Sequence, residues 1–200
     1  MSAGLVLLHA WWGLTDDVKA RAKSLRDEGY AVVTPDMFDG KIATTIDEAK
    51  ALTANEKDNE EKITRFVDKA VGDLRARVDR VGIVSWSFGN WYAWKIAAAR
   101  RDAVAAVVCF YGLAVEDTSK KVPPILSHYA EHDEFEDLAW TRKAEGEMRA
   151  AGSDVKVELY PGTKHWFDEP SRPEYDKGAS DLAWDRSSAF LAKHLGNANK

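Results

Sequence analysis

The chain has 200 residues, 45% of them hydrophobic and 30% charged, which suits one ordinary domain with a full-sized core and excludes a disulfide-stapled miniprotein or a membrane protein. Its 28 basic and 33 acidic residues leave a net charge of −5, so it carries no electrostatic footprint for nucleic acid or anionic lipid. Cys109 is the only cysteine, which excludes an intrachain disulfide and a cysteine-based metal site.

The first apolar run, Leu5-Val6-Leu7-Leu8, is too short to span a bilayer, and no Lys or Arg precedes it. It reads as a buried strand at 4–9 in a cytoplasmic protein rather than an anchor or signal peptide. A helix is expected over 15–28, opened by Thr15 as cap with Asp16 and Asp17 at its positive end, and stopped by Gly29. A strand follows at 30–34. The segment 37–60 is the expected cover of a site, and its polar end, 53–62, reads as a solvated loop and helix start. Ile63, Phe66, Val67, Ala70, Leu74 and Val78 recur at helical spacing over 59–79.

Strands at 81–85, 104–110 and 125–130 are nearly continuous apolar runs, as strands covered on both faces must be. Helices are expected at 90–100, 136–151 and 178–195. The last strand, 155–160, alternates Val155, Val157 and Leu159 with Lys156, Glu158 and Tyr160, the pattern of an edge strand with one wetter face. Strand alternating with helix implies a mostly parallel sheet of about six strands with helices on both faces. No linker or repeat interrupts it, so residues 1–200 are read as one α/β domain.

The chemistry centres on Ser85-Trp86-Ser87-Phe88-Gly89, which joins a strand to a helix. A sharp turn there would push the central serine side chain into the open, and it demands small residues two before and two after. Ser85 and Gly89 meet that demand. A serine nucleophile needs a base, and the base needs an orienting acid. Five histidines compete. His165 is chosen because the Tyr160-Pro161-Gly162 turn would deliver it to the carboxyl end of the sheet. His9 and His128 read as core, His132 shares the acidic loop, and His194 reads as exposed. For the acid, Glu131, Asp133 and Glu134 share one loop. Asp133 is chosen for its distance beyond the strand, with the two glutamates facing solvent. The order Ser87, Asp133, His165 is that of α/β-hydrolases.

Several ordered stretches then resemble the dienelactone hydrolase family over nearly the full length. These are His9-Ala10-Trp11-Trp12-Gly13-Leu14, Glu28-Gly29-Tyr30 through Thr34-Pro35-Asp36, the elbow, Phe110-Tyr111-Gly112, and the Asp133 loop. The most specific is Tyr160-Pro161-Gly162-Thr163-Lys164-His165-Trp166-Phe167, followed by Pro173-Glu174-Tyr175 and Ala183-Trp184. The resemblance implies a compact α/β-hydrolase fold, Ser87, Asp133 and His165 as catalytic residues, and an oxyanion hole from the Trp11 and Phe88 backbone N–H groups. No His/Asp/Glu cluster has metal-ligand spacing, and the Glu-rich stretch at 56–61 reads as a solvated face, so no cofactor and no metal are expected.

The chain also departs from the family pattern. Ser85, Ser87 and Asn90 stand where family elbows often carry glycine, cysteine and glycine. Ala10 stands where the family's namesake keeps a glutamate that activates its thiol. No arginine occurs between Arg26 and Arg65 or in Trp166-Phe167-Asp168-Glu169, so an anionic lactone would meet Asp168 and Glu169 instead of a clamp.

The expected function is therefore a serine hydrolase for esters of small uncharged, apolar or aromatic acids. The alternatives are a lactonase of the dienelactone type with serine for cysteine, or a silent binding protein. The partner is a small-molecule ester or lactone, with no nucleic acid and no membrane, and the chain is a monomer or homodimer.

Eight tryptophans are an unusual load, because each large ring needs burial and each N–H an acceptor. Trp11, Trp12, Trp86 and Trp166 adjoin the proposed catalytic elements, and all four are expected as walls of an apolar substrate pocket. Trp91 and Trp94 lie on the elbow helix, and Trp94, Trp140 and Trp184 are expected in the core. Cys109 is expected to be a small buried hydrophobe.

Overall fold

Six apolar runs form six strands, and the computed structural model, which describes residues 2–54 and 56–196, joins them into one sheet. The elements in chain order are β1 (Ala3–Leu8), α1 (Asp16–Asp27), β2 (Ala31–Val33), α2 (Ile46–Thr53), α3 (Glu56–Arg75) and β3 (Arg80–Trp86). They continue with α4 (Phe88–Ala99), β4 (Val104–Phe110), β5 (Ile125–His132), α5 (Leu138–Ala150), β6 (Val155–Lys164) and α6 (Lys177–Leu195). The strand order is β2-β1-β3-β4-β5-β6, and every pairing is parallel.

The two-residue period of a strand sends its neighbours to opposite layers. On β1, Val6 and Leu8 face the layer that holds Val67, Val71 and Leu74 of α3, Tyr92 and Trp94 of α4, and Met148 of α5. Leu5 and Leu7 face the other, with Val18, Ala22 and Leu25 of α1 and Trp184, Leu191 and Leu195 of α6. The sheet is thus apolar on both sides, which is why its strands read as continuous apolar runs.

Four local expectations are corrected. Pro161 and Gly162 do not form a turn after β6. The strand runs on to Lys164 across a register shift between Ala130 and His132, and Gly162 N donates to Glu131 Oε2 at 2.8 Å. Proline is tolerated there because β6 is an edge strand, whose outer side needs no ladder donor. Tyr160 is buried rather than wet. It stacks on Phe167 at 5.1 Å, and its hydroxyl meets His128 Nδ1 at 2.7 Å, because α6 covers the face that periodicity assigned to solvent. Thr15 occupies the cap of α1 without making a side-chain cap bond. Finally, α2 was not expected, although its signal stands in the sequence: Thr45 and Glu48 form a reciprocal capping box.

Candidate active site

Parallel strands end together, so residues that leave them at the same edge converge. Ser87, Asp133 and His165 are each the first residue after a strand, namely β3, β5 and β6. Ser87 has φ 46° and ψ −110°, a left-handed backbone that a serine adopts only when its surroundings impose it. Its N–H is pinned to Phe110 O at 3.0 Å. Gly89 must be glycine, because a Cβ there would lie 2.5 Å from Leu8 O. The two departures from the family elbow satisfy one another. Ser85 Oγ donates to Asn90 Oδ1 at 2.7 Å, and Asn90 Nδ2 donates to Phe110 O at 2.9 Å.

His165 Nε2 lies 3.0 Å from Ser87 Oγ, and its Nδ1 lies 2.7 Å from Asp133 Oδ2. The second carboxylate oxygen, Oδ1, accepts the N–H groups of Phe135 at 2.9 Å and Glu136 at 3.0 Å. Asp133 is therefore held as an acceptor, which puts the His165 proton on Nδ1 and leaves Nε2 free to accept from Ser87. Tyr111 and Trp166, on either side of His165, also have positive φ, 66° and 71°. Their rings pack against the imidazole with centroids at 4.7 and 5.2 Å. Strain is thus concentrated around Ser87 and His165.

A cavity of about 340 Å³ opens beside Ser87 and His165, with Trp11, Phe88, Trp91 and Phe135 as its aromatic wall. Thr53, Ala114 and Glu136 complete it. Trp11 follows β1 and lies next to Ser87 across this cavity, while Phe88 opens α4, whose first N–H groups have no intrahelical acceptor. The Glu136 carboxyl is folded over Gly112, where an added Cβ would stand 3.2 Å from Oε2. Burial, and then the nearby charge of Asp133, push its pKa up to about 8. At neutral pH this wall is accordingly uncharged.

The expected walls Trp12, Trp86 and Trp166 lie elsewhere. Trp166 is buried behind the cavity, between Trp12 at 5.0 Å and Phe135 at 5.0 Å. Trp12 is covered by the Arg172 guanidinium, 3.7 Å from its ring centroid. Trp86, one residue before Ser87 on β3, points to the opposite layer and stacks on Phe110 at 5.5 Å. Asp168 and Glu169 do not face the cavity either, since both are buried in that opposite layer. Of the tryptophans expected in the core, Trp94 and Trp184 are buried and Trp140 is exposed on α5. Sequence reasoning missed Phe135 and Glu136, although the Asp133-x-Phe135-Glu136 spacing, with a carboxylate two and three residues ahead of two amides, was a readable turn signal.

The other histidines divide clearly. His9 is buried. Its Nε2 accepts from Met37 N at 3.0 Å and its Nδ1 meets Ala10 O at 2.7 Å, while burial lowers its pKa to about 4. His128 is held between Tyr160 and Ser187 in the core. His132 is exposed. His194 is not fully exposed as expected but packs on Phe190 at 4.6 Å. Cys109 is buried, and desolvation pushes its thiol up to about 12, which rules it out as a thiolate nucleophile. Among the described residues, no His, Cys, Asp and Glu cluster is placed to hold a metal ion, and no helix is long and apolar enough to cross a membrane.

The comparisons with known proteins agree with this frame. The chain is 28% identical to protein usf of Aquifex pyrophilus, over 96% of this chain and 88% of that protein. It is also 28% identical to a carboxymethylenebutenolidase of Pseudomonas putida, over 94% and 84% of the two chains. Among solved structures, a dienelactone hydrolase-like promiscuous phosphotriesterase from metagenomic libraries superposes with a TM-score of 0.80 at 21% identity, covering 98% of this chain and 87% of that one. The model of the dienelactone hydrolase family matches residues 2–195. With its parallel α/β sheet matched from end to end, the chain belongs to the dienelactone hydrolase family and is a hydrolase of its ester- and lactone-cleaving kind.

Proposed function

We propose that this protein is a serine esterase acting on small, uncharged carboxylic esters with apolar or aromatic acyl groups. One observation carries the reading: a continuous hydrogen-bonded chain, Ser87 Oγ to His165 Nε2 and His165 Nδ1 to Asp133, at the floor of an aromatic cavity.

Ser87 Oγ attacks the ester carbonyl carbon while His165 Nε2 takes its proton. The tetrahedral oxyanion is held by the Trp11 and Phe88 backbone N–H groups, each worth about 3–4 kcal/mol. Collapse returns the proton from His165 to the leaving alkoxide and leaves an acyl-serine. Water then attacks the acyl carbon, giving its proton to His165, and the carboxylic acid departs as Ser87 recovers its hydrogen. Asp133 keeps the imidazole in the tautomer that both halves require. Serine suits this arrangement where thiol chemistry would not, since Ala10 supplies no carboxylate to activate a sulfur.

The substrate class follows from the walls. No arginine lines the cavity, and its one carboxyl, Glu136, keeps its proton up to about pH 8. Nothing there recognises an anionic lactone. The reading places the protein in the cytoplasm, in keeping with a single buried cysteine, as a monomer or homodimer. A fluorophosphonate probe tests it directly. Covalent labelling at Ser87, abolished in Ser87→Ala, is the expected result. An unlabelled wild type would make the protein a silent binder.

A further inference from the structure

A second cavity, of about 300 Å³, adjoins the first. The two share Phe88 and Thr53, so the residue whose N–H faces the developing oxyanion also separates the two spaces with its ring. The second cavity lies between the segment after β2 and the face of α3. Its apolar walls are Met37, Phe38, Leu52, Ile63, Phe66 and Phe88, and Thr53, Asn59 and the charged residues of the rim complete it. Phe66 stands 46% exposed at its mouth.

The wall is built, not incidental. His9, at the end of β1, accepts the Met37 N–H, and its ring meets Phe38 edge-on at 4.9 Å. Phe38 in turn packs on Phe88 at 5.3 Å. The rim acids are already engaged. Asp36 accepts the N–H groups of Phe38 and Gly40 at 3.0 and 2.7 Å, and Asp39 pairs with Lys62 at 3.2 Å. With its acids engaged and Lys41 exposed on the rim, the cavity offers its occupant hydrocarbon contact.

From this continuity we infer that the second cavity is a hydrocarbon subsite, holding an alkyl chain of the ester whose carbonyl sits at Ser87. The inference rests on the esterase reading for its chemistry and extends it from small esters to medium-chain ones. A cavity of about 150 Å³ holds benzene, so this one has room for a chain of about six to eight carbons. Each buried methylene is expected to raise kcat/KM by about fourfold, until the cavity is full.

The test is a chain-length series. p-Nitrophenyl acetate, butanoate, hexanoate, octanoate and dodecanoate probe the acyl side, and ethyl, hexyl and octyl acetates probe the alkoxy side. A rise of at least tenfold from two to six carbons in either series, with no further gain at twelve carbons in the acyl series, is expected, and the series that rises names the part of the ester that enters. Leu52→Trp, which fills the space from its half-buried wall, is expected to bring the hexanoate or hexyl rate to within threefold of the acetate or ethyl rate, leaving the short substrate unchanged. Phe66→Ala, at the exposed mouth, is expected to do the same more weakly and carries little folding risk. A flat profile in both series, or variants that slow short and long esters equally, would overturn the subsite.

Binding of 1-octanol, measured by calorimetry, separates this failure from that of the esterase reading. An enzyme inert toward every ester that still binds octanol, in wild type and Ser87→Ala but not in Leu52→Trp, would lose the esterase reading and keep the hydrocarbon subsite.

Discussion

His165 stands between two regions built from the same residue types and put to opposite uses. On one side, Trp11, Trp91 and Phe135 line an open cavity, and a carboxylate, Asp133, holds the imidazole beneath it. On the other, Trp86, Trp184 and a carboxylate, Asp168, are closed. There the Asp168 carboxylate accepts the indole N–H of Trp86 at 2.9 Å and of Trp184 at 2.7 Å, and the Ser180 hydroxyl at 2.6 Å. Arg21 lies over the Trp184 ring at 3.9 Å. The Trp86 and Trp184 indoles and the Ser180 hydroxyl thus all have an acceptor in Asp168, so this cluster is a packing unit. On the cavity side, the Trp11 and Trp166 N–H groups are buried without a partner, and Asp133 spends its capacity on one imidazole and two amides. The lesson is that aromatic density alone does not mark a site. What marks it is aromatic surface left facing space beside strained, hydrogen-bonded polar groups.

The largest expected effect comes from removing the proposed nucleophile. Ser87→Ala is expected to lower p-nitrophenyl acetate turnover by about 10⁴-fold or more while the thermal unfolding midpoint stays near that of the wild type; activity retained within tenfold would sink the assignment. Next in size, Trp86→Ala should cost about 3–5 kcal/mol of stability by denaturant unfolding, as large core deletions do. Trp91→Ala, on the cavity wall, should change kcat/KM with a much smaller loss of stability. If the two variants exchanged behaviours, the division of the tryptophans would be wrong.

Beneath the elbow, Ser85→Ala should cost about 1–3 kcal/mol by leaving Asn90 Oδ1 buried without its donor. The double variant with Asn90→Ala should cost less than the sum of the singles. Strict additivity would show that the pair does not act as a unit.

The closed side also has a pH signature. Burial, and then the adjacent charge of Asp168, raise the Glu169 carboxyl to about 8. In the unfolded chain it ionises near its ordinary value of 4.5. Between those values the folded protein holds a proton that the unfolded chain releases, so stability falls as pH rises from about 4.5 to about 8, by up to about 1.4 kcal/mol per pH unit. Glu169→Gln should flatten that decline in unfolding measurements across the window. The smallest expected effect is on the open side. Above about pH 8, Glu136 ionises in the cavity and opposes the oxyanion, so kcat/KM should fall several-fold. Glu136→Gln should remove that alkaline limb, and an unchanged limb would show that another group causes it.

How much of this was legible without coordinates varies by element. The alternation of strand and helix was readable because parallel strands must be apolar on both faces, which leaves runs such as Val104–Phe110 with no polar interruption. The elbow was readable because its steric demand is local: Ser85 and Gly89 are small within a five-residue window. The helix at 46–53 was overlooked although its capping box is equally local. Tyr160, Trp140 and His194 were misplaced because exposure depends on which element covers a face, and no single segment carries that information.

The pocket walls show the boundary most clearly. Trp86 adjoins Ser87 in sequence, and for that very reason it points away, since successive strand residues face opposite layers. Trp11 reaches the cavity while its neighbour Trp12 lies beneath Arg172. The sequence by itself determined the sheet, the position of the sharp turn and the residues that leave the strand ends, because these follow from periodicity and local sterics. Only the tertiary structure decided which aromatic rings face Ser87, that Phe135 and Glu136 join them, and that a second apolar space opens past Phe88. Those outcomes depend on loops from separate strands meeting at one edge, and on the direction each side chain takes when they do.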